Sequence, residues 1–193
     1  MGKSKKGTAW EREFSKRLSL WWTNEENDAV FWKTSISGGR ATSRTNKGKA
    51  TKNHYGDICA TDPIGQPLMD VFTMELKRGY NKNTIADLLD KRESSSEQVY
   101  EEWFHKLIET SKKAKTLSWA LVVQRDRREP LIFLPSTILT ELLDHRKNAY
   151  LPINLLEIKN NKNEIPDVTG LRLSDFFQVI FPELIGKLLK DSK

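Results

Sequence analysis

Apolar side chains in the first part of the chain recur with the spacing of one helical face. Large apolar residues stand at i, i+4, i+8 and i+11, and they are Trp10, Phe14, Leu18 and Trp21. Thr8, with Glu11 three residues later, has the spacing of a capping box. The pattern therefore predicts an amphipathic helix that is capped by Thr8 and runs from Ala9 to about Trp22.

Short apolar runs and further helical patterns follow along the rest of the chain. The predicted strands are 29–32, 58–60, 71–77, 118–124, 131–134 and 151–158. The predicted helices are 84–91, 97–113 and 136–146, followed by a last helical segment that begins at Ser174 and is interrupted by Pro182. This order predicts an α/β fold in which helices flank a mixed central sheet.

One predicted strand, Val71–Lys77, combines an apolar face with a charged face. Because strand side chains alternate, one face carries Phe72, Met74 and Leu76, and the other carries Val71, Thr73, Glu75 and Lys77. Upstream, Asp57 follows Gly56 and leads into Ile58–Ala60, and segment 61–67 has the prolines and glycine of a turn. A hairpin of these two strands would place Asp57 beside Glu75.

Two carboxylates and one ammonium group at a strand end are the groups of a divalent-cation site with an attached lysine. Mg²⁺ prefers oxygen ligands, and proteins hold it with one or two carboxylates together with water and phosphate oxygens. The alternative from the same residues is an ordinary strand whose glutamate and lysine face water.

The composition excludes several classes of protein. The 193 residues are 37% hydrophobic and 30% charged, which fits a soluble domain. There is no apolar run long enough for a membrane span and no secretory signal. A single cysteine, Cys59, cannot form an internal disulfide. We therefore expect a cytoplasmic protein that does not bind membranes.

The positive charge lies mainly in the first part of the chain. The net charge is +6, and residues 1–80 hold 14 Lys and Arg against 9 Asp and Glu. Between Lys33 and Gly56 there are six basic residues and no acidic one. This polar segment predicts a long loop that contacts the phosphates of a nucleic acid rather than a plain solvated loop. The candidate contacts are Lys33, Ser35, Ser37, Arg40, Arg44, Lys47, Lys49 and Lys52.

Taken in order, these features resemble the PD-(D/E)xK nucleases. Residues 7–13 are similar to the N-terminal Gly-x-x-x-Glu-Arg-Glu of archaeal Holliday-junction resolvases and related phage and restriction-like endonucleases. Residues 29–37 resemble their strand that ends in a basic residue and a serine, and 54–58 resemble their aspartate strand. Residues 75–77 match Glu-x-Lys, and 97–99 resemble the start of their next helix. The likeness covers about residues 7–134, with Gly56 where the motif has proline.

The resemblance implies a restriction-endonuclease-like core in residues 1–135. Residues 136–193 match nothing in these nucleases and are expected to form an α-rich C-terminal extension packed on the same domain. The resemblance also implies that Asp57, Glu75 and the Leu76 carbonyl hold Mg²⁺, which Mn²⁺ can replace. Glu11 would bind the ion directly or through water.

Two further side chains receive roles from the resemblance. Lys77 would hold the attacking water or neutralise the scissile phosphate, and Gln98 would orient the site. The implied activity is Mg²⁺-dependent endonucleolytic hydrolysis of DNA, with selectivity for branched or junction DNA. The implied setting is a bacterial, archaeal or phage-infected cell, with DNA as the partner and a homodimer compatible with the family.

Other functions remain open at this point. The chain could be a non-catalytic DNA-binding module, or a restriction- or repair-type nuclease that acts on linear duplex or single-stranded DNA. A protein that binds RNA or another protein through outward-facing tryptophans is a third alternative, although Trp10, Trp21, Trp103 and Trp119 fall on apolar stripes.

Overall fold

The computed structural model describes residues 3–34, 55–92, 95–144, 155–158 and 165–192. In chain order the elements are α1 (Lys3–Trp22), β1 (Phe31–Lys33), β2 (Ile58–Ala60), a 3-10 turn (Pro63–Gly65), α2 (Gln66–Val71), β3 (Phe72–Arg78), α3 (Ala86–Leu89), α4 (Val99–Ala114), β4 (Ser118–Gln124), β5 (Leu131–Pro135), α5 (Ser136–Asp144), β6 (Leu156–Ile158), β7 (Val168–Arg172), α6 (Leu173–Val179) and α7 (Pro182–Asp191).

Five of these strands form a mixed central sheet in the order β3-β4-β5-β7-β6. β3 and β4 run parallel, with Glu75 opposite Leu121, and the other neighbouring strands run antiparallel. The predicted α/β fold with a mixed sheet and flanking helices is confirmed, and it is consistent with a restriction-endonuclease-like core. β3 stands at one edge of this sheet.

The predicted hairpin between 58–60 and β3 is wrong. β2 pairs with β1 instead, antiparallel, with Trp32 opposite Cys59. The predicted turn at 61–67 is a 3-10 turn followed by α2. Asp62 begins it by accepting a hydrogen bond from the Ile64 amide, and prolines occupy first-turn positions where a missing N–H costs nothing. A helix therefore separates β2 from β3 along the chain.

Helices α1, α2, α5, α6 and α7 pack on one face of the sheet. Phe72, Met74 and Leu76 of β3 are buried in this core, as their alternation predicted. Val71, predicted on the charged face, ends α2 and lies in the same core. The burial follows the hydrophobic effect, since these side chains line the only strongly apolar side of β3.

Helix α1 confirms the predicted apolar stripe but not the predicted start. Trp10, Phe14 and Leu18 are almost fully buried. The helix begins at Lys3, so Thr8 lies inside it and is not its N-cap. Glu11 consequently stands in the interior of the helix, where it has no capping function to perform.

Helix α4 covers the opposite face of the sheet. Its buried side chains, Tyr100, Trp103, Phe104 and Leu107, pack on the inward-facing residues of β4 and β5. Glu75 and Lys77 of β3 point to this side as well. The polar end of β3 therefore lies at the margin of a second, aromatic core.

β7 is a strand that the sequence pattern did not predict. It pairs with β5 and β6, so residues beyond 135 complete the sheet as well as supply helices. A Cβ at Gly170 would lie 2.5 Å from the Phe133 ring, so the glycine allows this ring to pack on the strand. Helix α6 begins at Leu173, with Arg172 at the cap position, rather than at Ser174. Within the described segments, no helix is both long and apolar enough to span a membrane.

Candidate active site

Asp57 is held against the outer edge of β3 by two hydrogen bonds. Its backbone N–H donates to the Met74 carbonyl over 2.7 Å. Its carboxylate Oδ2 accepts from the Leu76 amide, also over 2.7 Å. The side chain of Asp57 is therefore fixed beside the middle of the Glu75-Leu76-Lys77 triplet, although β2 and β3 do not form a hairpin.

Gly56 makes this close approach between the two chains sterically feasible. Its φ is +80°, in the region that side chains disfavour, and a Cβ at this position would lie 2.5 Å from the Met74 carbonyl oxygen. Thr34, which follows β1, holds the same dipeptide from the other side. Its amide donates to the Asp57 carbonyl over 2.8 Å, and its hydroxyl donates to the Gly56 carbonyl over 2.5 Å.

Glu75 and Lys77 form an ion pair on the α4 side of β3. The Lys77 Nζ lies 2.5 Å from Glu75 Oε1, and the two side chains are only 14% and 16% exposed. Lys77 also lies over the Trp103 ring, 5.8 Å from its centroid. Lys106 of α4 places a second ammonium 3.9 Å from the same Glu75 oxygen, with its own side chain 71% exposed.

Burial and a neighbouring charge raise the pKa of Asp57 from 3.8 to about 6. Loss of solvent is the larger cause, and the negative charge of Glu75 is the second. The Leu76 amide and Lys77 act in the opposite direction, and Glu11 adds a smaller push upward. The carboxylates of Asp57, Glu75 and Glu11 therefore share one electrostatic environment.

Glu11 faces this environment from α1. Its Oε2 lies 3.6 Å from the Nζ of Lys33, at the end of β1, and both side chains are about a quarter exposed or less. Lys33 was predicted to contact DNA, and in the structure it pairs with Glu11. Because α1 begins eight residues before Glu11, the capping role that competed with a site role is excluded.

The structure places Gln98 at a helix cap. Gln98 is the N-cap of α4 and forms a capping box with Glu101, and its amide donates to the Ser96 carbonyl. These contacts, the last of them made by the side-chain amide of Gln98, belong to a helix cap, and the orienting role of Gln98 stays a prediction. The other predicted DNA contacts, Ser35, Ser37, Arg40, Arg44, Lys47, Lys49 and Lys52, lie outside the described residues.

Three neighbours of the site were missed by reasoning from sequence: Thr34, Trp103 and Lys106. Trp103 was assigned to the core, where it is indeed 8% exposed, but its ring also supports Lys77. Lys106 stands three residues later, and residues with this spacing share a helical face. That spacing was the available signal. Thr34 gave no signal, because its role depends on how β1 meets Gly56.

The model of the family described as "phage putative PDDEXK endonuclease" matches residues 2–186. The chain belongs to this family. No curated protein and no solved structure matches the chain.

Membership of this PD-(D/E)xK endonuclease family indicates a nuclease, a hydrolase that acts on DNA. The match extends beyond residue 135, as far as residue 186, over a segment that contains none of the motifs named above. Asp57 and Glu75-Leu76-Lys77 stay the predicted residues of the motif, with Gly56 in the position of the proline.

Proposed function

We propose that this endonuclease is metal-dependent and that Asp57, Glu75 and the Leu76 carbonyl hold a Mg²⁺ ion. The observation that carries the proposal is the pair of poorly solvated carboxylates that flank Leu76, one of which has a raised pKa. Two like charges with little water favour a compensating cation. Lys77 compensates only part of this charge, since the pKa of Asp57 stays high beside it.

The donor set fits a hard cation. A strand residue directs its N–H and C=O to the same side, so the Leu76 carbonyl faces the edge on which Asp57 lies. Among the described side chains, no group of three or more His, Cys, Asp or Glu is arranged to hold a metal ion, so the protein would supply only two carboxylates here. Two carboxylates and one carbonyl would leave the other positions to water and phosphate, which is how Mg²⁺ is commonly bound.

Each residue then has a defined task. A bound Mg²⁺ would polarise the scissile phosphate and lower the pKa of a coordinated water. Lys77, positioned by Glu75 and Trp103, presents an ammonium where negative charge develops in the transition state. Glu11, held by Lys33, adds negative charge at the margin of the site and would act through water.

Cleavage of DNA with and without Mg²⁺ tests the proposal. Glu75→Gln removes a ligand charge with little change of shape, and we expect it to lose cleavage. Glu13→Gln, on the exposed side of α1, is the matched control and should cleave like wild type. Equal cleavage by wild type and Glu75→Gln, or cleavage that EDTA leaves unchanged, would contradict the assignment.

Glu11→Gln separates a site role from a structural role. Its ion pair with Lys33 is partly exposed, so its loss should change the free energy of unfolding by less than about 1 kcal/mol. We expect near-normal melting with slower cleavage that high Mg²⁺ partly restores. Full activity at low Mg²⁺ would remove Glu11 from the site.

The finer substrate preference is also a proposal. The likeness of residues 7–13 to junction resolvases favours branched DNA, and a panel of junction, flap, linear duplex and single-stranded DNAs compares the alternatives directly. A protein that binds these DNAs but cleaves none would be the non-catalytic module.

A further inference from the structure

A cavity of about 440 Å³ opens at the end of β3, next to the candidate active site. Its wall consists of Gly7, Leu76, Lys77, Arg78, Gly79, Tyr80 and Asp126. Leu76 and Lys77 therefore belong both to this cavity and to the site described above. A volume of this size lies within the range of pockets that hold small organic groups.

Tyr80 offers the cavity a supported aromatic surface. Tyr80 is 43% exposed, as are to a similar degree Trp32, Tyr55 and Phe181 among the described residues, but of these four only Tyr80 lines this cavity. The ring contacts Trp103 edge-on, at 4.8 Å between centroids and 75° between planes. Trp103 thus supports both Lys77 and Tyr80, which fixes the aromatic ring at a set place relative to the ammonium group.

The loop that carries Tyr80 is tied to the next turn of the sheet. Gly79 donates its amide to the Gln124 carbonyl over 3.1 Å. Asn81 donates to the Asp126 carboxylate over 3.0 Å and accepts from the Asp126 amide over 2.8 Å. An exposed aromatic ring on a held loop loses little conformational freedom when a ligand stacks on it.

Arg78 adds a positive group without a carboxylate partner. Its guanidinium lies over the Trp10 ring, 6.0 Å from the centroid, and its buried Nε has no hydrogen-bond partner among the described residues. No described carboxylate forms an ion pair with it. An arginine in this state, in the wall of the same cavity as Lys77, is suited to a phosphate group.

We propose that this cavity binds the base of an unpaired nucleotide stacked on Tyr80, while Arg78 binds the phosphate of that nucleotide. Bases in an intact duplex have both faces covered, whereas unpaired bases can stack on aromatic side chains. The inference rests on the proposed function, because Lys77 joins the cavity to the site. It names the substrate class: DNA with an unpaired nucleotide beside the cleaved bond.

Binding in EDTA tests the inference without any cleavage. Three short labelled duplexes are compared by fluorescence anisotropy: fully paired, with one unpaired thymidine, and with one unpaired abasic nucleotide. Wild type should bind the thymidine duplex at least about fivefold more tightly than the abasic duplex. Tyr80→Ala should lose that preference, while Tyr80→Phe should keep it.

Phe181→Ala is the matched aromatic control. Phe181 is 44% exposed but belongs to a cleft at the far end of α1, beside Trp21. Trp21 and Gly7 are separated by about 21 Å along the helix. This variant should keep the thymidine preference. Arg78→Gln should weaken binding of the thymidine and abasic duplexes equally and reduce the salt dependence by about one phosphate contact.

Equal affinity of wild type for the thymidine and abasic duplexes would overturn the inference, whether or not Tyr80→Ala folds. An unchanged preference in Tyr80→Ala would overturn it as well. A thymidine preference in a protein that Mg²⁺ never makes cleave DNA would support this cavity and refute the nuclease site, so the two failures are distinguishable.

Discussion

At the residue scale, the candidate site lowers the stability of the folded protein, and Asp57 shows how. The fold removes this carboxylate from water and places it near Glu75, so its ionised form is disfavoured. Below the ordinary pKa of 3.8 the group is neutral in the folded and unfolded states. As the pH rises from 3.8 to about 6, the unfolded state ionises while the folded state stays protonated, so stability is lost over this window and the loss stays constant at higher pH.

Asp57→Asn should therefore stabilise the protein at neutral pH. An asparagine oxygen can still accept the Leu76 amide, but it carries no charge. We expect the free energy of unfolding at pH 7 to rise by at most about 3 kcal/mol, with the gain absent below pH 4. Thermal melting across this pH range, in EDTA, measures the effect.

Asp62→Asn is the control for this substitution. The Asp62 side chain also accepts a backbone amide, from Ile64, but at an exposed site. Asp62→Asn should give no comparable gain in the free energy of unfolding at pH 7. Equal stabilisation by both variants would show that the effect comes neither from the burial of Asp57 nor from the charge of Glu75.

At the scale of elements, the site depends on how β2 approaches the edge of β3. A glycine is needed at position 56 for two reasons. Its backbone has a positive φ, which other residues disfavour, and a Cβ there would collide with the Met74 carbonyl. Gly79 shares the positive φ, at +85°, but a Cβ there would meet nothing within 4 Å. An alanine at Gly79 would therefore cause backbone strain alone, whereas an alanine at Gly56 would cause backbone strain and a steric clash.

Gly79→Ala should cost about 1–2 kcal/mol of stability, the price of the left-handed backbone. Gly56→Ala should lower stability clearly more than Gly79→Ala. It should also weaken Mg²⁺ binding, because the added Cβ pushes Asp57 away from the edge of β3. Melting temperature and cation titration of both variants provide the comparison. Equal losses of stability in the two variants, with unchanged Mg²⁺ binding, would contradict the account of the β2–β3 contact.

Local elements could be predicted from sequence where a local pattern determines them. β4 was predicted with its observed bounds, and α4 nearly so, because one apolar run and one apolar stripe suffice. The predicted hairpin of β2 with β3 was wrong because tertiary packing decides which strand pairs with β2, and that strand is β1. β7 was missed because Gly170 and Arg172 interrupt its pattern, and its pairing with β5 decides the structure.

The site was predictable in its residue types but not in its construction. Asp57 lies beside the Glu75-Leu76-Lys77 triplet of β3, as expected. The chain between them forms a 3-10 turn and a helix, where a simple hairpin turn was predicted. Glu11 was ambiguous because Thr8 has the sequence of a cap, and only the helix start at Lys3 resolves the ambiguity. The contact of Thr34 depends on how β1 meets Gly56, which no local pattern contains, whereas the three-residue spacing from Trp103 was a local signal for Lys106.

At the scale of the whole molecule, the uneven charge gives a prediction about DNA binding. Neutralising Arg40, Arg44, Lys47 and Lys49 should weaken binding and reduce its salt dependence, because each phosphate contact releases counterions. The slope of log K against log salt should fall in magnitude by up to about 3.6. Neutralising four basic residues beyond residue 80, Lys112, Lys113, Lys187 and Lys190, is the control, and an equal effect would contradict a role specific to residues 40–49.

The most direct measurement is calorimetric titration of the protein with Mg²⁺ or Mn²⁺, without DNA, in buffers of different ionisation enthalpy. At pH 6 a cation bound by Asp57 should displace its proton, so the heat should depend on the buffer, and at pH 8 this dependence should vanish. Asp57→Asn and Glu75→Gln should lose the binding, and Glu13→Gln should keep it. Undiminished cation binding by both Asp57→Asn and Glu75→Gln would contradict a metal site at the edge of β3.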